Sequence, residues 1–135
     1  MALFSQLGRY QNTGLFILRV GLGAMMIVHG FDKVKGGPAE WAELGSAMNN
    51  LHMPYLHTFW GFMCAITETV GGLFCILGLW FRSVSLFMVF NFIVAALFHF
   101  AKGGGVNEAA HALELVFVFS GLVFLGPGYY SVDKC

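Results

Sequence analysis

Seven side chains able to bind, donate or accept protons stand within or at the ends of long hydrophobic stretches: Arg19, His29, Glu68, Asn91, His99, His111 and Glu114. In lipid such residues are expensive. An arginine or aspartate at the centre of a membrane helix costs ~2.5–3.5 kcal/mol on insertion scales. They are therefore expected to turn toward other helices and find partners there. Arg19, Glu68 and Glu114 together bring one positive and two negative charges into a low dielectric. That imbalance predicts a polar pocket able to hold an exchangeable proton. The same residues could instead only pin the helices in register, as buried ion pairs sometimes do.

Metal chemistry is a weaker reading of the same residues. His29 and His99 fall at similar depth on helices of opposite direction, as two axial haem ligands could. His111 and Glu114 are three residues apart, one half of the carboxylate-bridged iron pattern, which needs two such pairs. No Cys-x-x-Cys-His haem attachment is present. Polar packing near a membrane boundary explains His29, His99, His111 and Glu114 better than haem or iron. Gly21 and Gly23 lie mid-span with no strand before them, so they are not a nucleotide-binding loop.

Four apolar blocks must position these groups. They are residues 15–31, 59–80, 84–100 and 109–126. Each is about 17 to 22 residues long, enough to cross ~30 Å of hydrocarbon. A backbone in lipid has to satisfy its own hydrogen bonds, so the blocks are expected to be helices. The fold class is thus all-α, a transmembrane four-helix bundle forming a single domain over residues 1–135. The composition agrees: 58% of the 135 residues are hydrophobic and 10% are charged, against about 25% charged in soluble domains. Lys plus Arg equals Asp plus Glu, seven each, which argues against nucleic acid as a partner. The first block resembles a signal peptide in length, but no small-x-small cleavage site follows, so it is read as a retained span.

The connector between the first two spans has structure of its own. Pro38 suits the first turn of a helix, and Trp41, Leu44, Met48 and Leu51 recur at helical spacing. A short amphipathic helix over residues 38–51 is expected, lying on the membrane or capping the bundle. Lysines and arginines divide evenly between the two sides, so charge does not set the orientation. Cys64 and Cys75 are ~16 Å apart along one helix, too far for a disulfide. Cys135 is the last residue.

Helical phase suggests which faces turn inward. In the second span Cys64, Glu68, Gly71, Gly72 and Cys75 share a stripe; in the third, Asn91, Ala95 and His99; in the fourth, His111, Glu114, Val118 and Gly121. Gly71, Gly72 and Gly121 are the expected close-packing positions, because small residues let neighbouring backbones approach. Measured from the connector side, Arg19 lies ~18 Å deep and Glu68 ~14 Å. The pair is therefore expected to form a buried salt bridge.

The run LRVGLGAMMIVHGFDKVKGG resembles the first-helix signature of the DoxX family, with an early arginine (Arg19) and His-Gly-x-x-Lys at the end (His29, Gly30, Lys33). Glu68, Gly71 and Gly72, the LGLWFR segment ending in Arg82, His99, Glu114 and the closing LGPGYYSVD continue the resemblance over about residues 14 to 133. The longer connector and Cys135 depart from it. The resemblance implies a multi-pass protein of the bacterial cytoplasmic (inner) membrane with both termini cytoplasmic. It adds Lys33 to the polar set. Members of the family include subunits of quinone-linked oxidoreductases; others associate with redox-stress proteins or act as assembly factors.

Two functions follow from the residues and the resemblance. In one, the chain is a non-autonomous membrane subunit of a redox system, with quinone at a pocket built from Arg19, Glu68, His29, His99 and Glu114. In the other it is a non-catalytic assembly factor holding a partner protein or small ligand. Membrane lipid, another membrane or redox protein, or a second copy of the chain are the expected partners. A four-helix transporter is disfavoured, because so few short helices make a narrow conduit.

Overall fold

Phe31 does not end the first helix. In the computed structural model, which describes residues 3–134, α1 runs Gln11–Gly45, with its one interior break at Gly37 (φ 78°, ψ −173°). Only a residue without Cβ adopts that backbone at little cost. Pro38 then opens the distal limb, where a missing N–H goes unnoticed. This limb and the 3-10 turn Ser46–Leu51 that follows it are the amphipathic helix expected in the connector, joined to the span through a kink instead of a loop. Trp41 Nε1 donates to the Lys33 carbonyl at 2.9 Å, tying the distal limb back across the break. Ala47 and Met48 are the buried residues of the 3-10 turn.

Three further helices follow: α2 His57–Leu77, α3 Phe81–Ala101 and α4 Gly105–Leu125. With α1 they are long and apolar enough to cross a membrane, and among the described residues there is no strand. Short links at residues 78–80 and 102–104 make successive helices antiparallel. Gly78, at φ 66°, ends α2 in the left-handed conformation that glycine favours.

The α1–α2 pair is packed through glycine. A Cβ on Gly23 would lie 2.5 Å from the Gly72 carbonyl oxygen, and one on Gly30 would strike Thr69 and Glu68. Gly61 likewise abuts the backbone of Trp41. Lipid tails are as apolar as leucine, so close backbone approach, not hydrophobicity, holds such helices together. The α3–α4 pair uses larger knobs: the rings of Phe92 and Phe119 stack at 5.9 Å, flanked by Ala96, Ala109 and Ala112. Met26, Cys75, Phe81 and Met88 fill the space between the pairs. Outward faces carry large apolar groups such as Phe124 and Phe87, as lipid contact requires. Cys135 lies outside the described residues.

Candidate functional site

Glu68 is the centre of a polar cluster in the connector half of the bundle. It sits midway along α2, is 1% exposed, and looks toward the last turns of the first limb of α1. There Lys33 brings its ammonium 2.7 Å and 2.8 Å from the two carboxylate oxygens. From α3, Asn91 Nδ2 donates to Oε1 at 2.9 Å. Cys64, one turn before Glu68, lies with its Sγ 3.8 Å from the same oxygen. The pair carries no net charge, and three helices meet at one carboxylate. Thr69, next to Glu68, returns its hydroxyl to the Ala65 carbonyl, as a threonine does inside a helix with no other partner.

A cavity of about 400 Å³ opens against this cluster, between α2, α3 and the 3-10 turn. Lys33, Cys64, Asn91 and His99 give it a polar edge, while Trp60, Val94, Ala95 and Phe98 form apolar walls. Met48 and Leu44 cover it on the connector side. Met63, Phe87 and Phe90 also line it and are exposed on the outside of the bundle. Its mouth therefore faces lipid, in the seam between α2 and α3.

Arg19 does not join Glu68, contrary to the sequence expectation. It is 1% exposed and lies at the opposite end of the bundle. Its Nη2 donates to the carbonyls of Ile76 (3.0 Å) and Tyr130 (2.6 Å), and Nη1 donates to that of Pro127. The reason is the length of α1. The helix continues past Phe31 to the break at Gly37, which puts Arg19 about 27 Å below the break, whereas Glu68 lies about 17 Å below the start of α2. At the depth it occupies, Arg19 meets the Ile76 carbonyl in the last turn of α2, which has no partner within its own helix. The guanidinium holds this carbonyl and two from the segment after α4 at once. The segment after α4 closes this end: Val132 and Asp133 donate backbone N–H groups to Leu77 and Gly78, and the Asp133 carboxylate accepts from the Phe81 N–H at the start of α3. Asp133 is a cap that the sequence reading missed; an acid following Gly-Pro-Gly after the last span was the available signal.

The remaining expected residues divide. Gly71 and Gly72 are buried at close contacts, Gly71 against Met88. His99 is on the cavity wall. His29 faces His111 across the α1–α4 edge, ring centroids 6.0 Å apart, and both are exposed. His29 is thus beside His111, not opposite His99 as a haem pair would need. Among the described residues no three His, Cys, Asp or Glu side chains converge as a metal site. The phase expected for α4 is also corrected. Its buried stripe is Ala109, Ala112, Leu115, Phe119 and Leu122, so Glu114 and Gly121 face outward. Small alanines, not the polar residues, mark the inner face. Glu114 is thus outside the cluster and Lys33, not Arg19, is the cation beside Glu68.

The family model described as DoxX matches residues 14–101. That span includes Lys33, Cys64, Glu68 and Asn91. No curated protein matches the chain, and no solved structure matches it.

Proposed function

Because the chain belongs to the DoxX family of membrane proteins, we propose that it serves as a membrane subunit of a redox system and that the cavity beside Glu68 takes the ring of a quinone. One observation carries this reading: a laterally open cavity whose apolar walls end on Lys33 and Asn91, the two hydrogen-bond partners of the buried Glu68. Its volume, about 400 Å³, lies in the range of small-molecule sites. A mouth between α2 and α3 suits a ligand that arrives dissolved in lipid and leaves its tail there. Lys33 keeps a third N–H beyond the two aimed at Glu68, and Asn91 a second, so each can donate to a ring carbonyl.

In this reading the chain contributes binding and orientation, and a partner redox protein supplies the electrons. The same reading locates the chain in a bacterial cytoplasmic membrane with both termini inside. The test uses purified protein in lipid nanodiscs. Trp60 lines the cavity, so its fluorescence should be quenched saturably by short-tailed ubiquinone or menaquinone, and Trp60→Phe should lose that component. Asn91→Leu should weaken binding at least tenfold. Unsaturable quenching, or equal binding by wild type and Asn91→Leu, removes the reading and leaves the assembly-factor alternative.

A further inference from the structure

Glu114 is out of place where the structure puts it. It is the tenth residue of α4, close to the middle of a helix that spans Gly105–Leu125, and it is exposed. Among the described residues it has no ion pair, the two pairs being Lys33–Glu68 and Lys102–Glu43, and no side-chain hydrogen bond. A carboxyl group at that depth on a lipid-facing surface has neither water nor a partner. His111 stands one turn nearer the connector side, beside the His29 ring but with no side-chain hydrogen bond among the described residues, and is exposed; Gly121 stands two turns further in, with no heavy atom within 4 Å of where its Cβ would be. Between and beside them, Phe117 (75% exposed) and Phe124 (85%) project as large knobs. Polar group, knob and hole thus alternate along one strip.

We infer that this face of α4 packs against the same face of a second copy of the chain. The argument for a second copy is reciprocity. Two copies inserted in the same direction are related by a two-fold axis along the membrane normal, which brings one face against itself. If the α4 helices cross between His111 and Glu114, each imidazole comes beside the other copy's carboxyl group, so both chains satisfy their polar side chains in one step. Any different partner would have to bring its own complement to both. Further in, Phe117 and Phe124 flank the gap at Gly121, the knob-and-small-residue arrangement through which membrane helices approach. The cavity mouth lies in the α2–α3 seam, away from this surface, so pairing leaves it open.

Disulfide trapping in native membranes tests the contact. In a Cys135→Ser background, Gly121→Cys has open space for its side chain and should give disulfide-linked dimers on mild oxidation. Leu73→Cys, on the exposed side of α2, should give at least tenfold less. Glu114→Leu suits lipid and should fold, and its mass in nanodiscs should fall from two chains per particle toward one. A single-chain mass for the wild type, equal trapping at Leu73 and Gly121, or trapping of Gly121→Cys to a different protein without dimers would each overturn the assignment.

Discussion

Lys33 Nζ lies 2.7 Å and 2.8 Å from the two carboxylate oxygens of Glu68, joining α1 to α2 about one turn from the Gly37 break. Its side chain is 27% exposed and that of Glu68 2%. Losing one member of such a pair leaves an uncompensated charge, whereas losing both leaves none. Lys33→Met should therefore lower stability by about 3–5 kcal/mol, and Lys33→Met with Glu68→Met by markedly less. A double-mutant cycle of unfolding in mixed detergent measures the difference. Equal losses for the single and double variants would show that the pair is not coupled.

Arg19 is the corresponding clasp at the other end. Its guanidinium reaches carbonyls from α2 and from the segment after α4. Lysine keeps the charge but has a single point ammonium, which cannot spread over all of them. Arg19→Lys should cost about 1.5–3 kcal/mol, the range for hydrogen bonds to a charged group. It should also expose the C-terminal segment to carboxypeptidase. Retention of both stability and protease resistance would mean that Val132 and Asp133 hold this end unaided.

The architecture was open to sequence reading because hydropathy blocks and the lipid constraint leave few choices. The connector helix was legible too: Pro38 marks its start, and Trp41, Leu44 and Met48 mark its inner side. The azimuth of α2 followed from Gly71, Gly72 and Cys75, all buried. That of α4 did not, because leucine and phenylalanine serve equally well against lipid and against a helix, and the decisive residues were the modest Ala109 and Ala112. Axial register failed for a different reason. Asp32 and Lys33 suggested a helix end, yet the chain stays helical until Gly37, so each depth measured from Phe31 was short and Arg19 was assigned to the wrong neighbour.

Gly30 packs closely against α2, where an added Cβ would meet Thr69 and the Glu68 side chain. Gly30→Val should force the helices apart and cost about 1–3 kcal/mol, as overpacking does. Because Glu68 is among the displaced neighbours, after Thr69, the Lys33 contact should loosen as well. Gly21→Ala on the same helix meets nothing within 4 Å and should be neutral. Thermal melting of the two variants in one detergent compares them directly.

Filling the cavity separates its role in binding from its role in stability. Ala95 is on the wall, one turn beyond Asn91 on α3, and makes no polar contact. Ala95→Phe would place a ring inside the roughly 400 Å³ space while leaving Lys33, Glu68 and Asn91 in position. An empty apolar cavity forfeits dispersion contacts that an added ring restores. Melting temperature should therefore hold or rise, while quinone affinity falls more than tenfold. Leu97→Phe, which points outward from the same helix, should change neither. If Ala95→Phe binds quinone as well as the wild type, the ring sits elsewhere, and the lateral cavity is a packing feature of the α2–α3 seam.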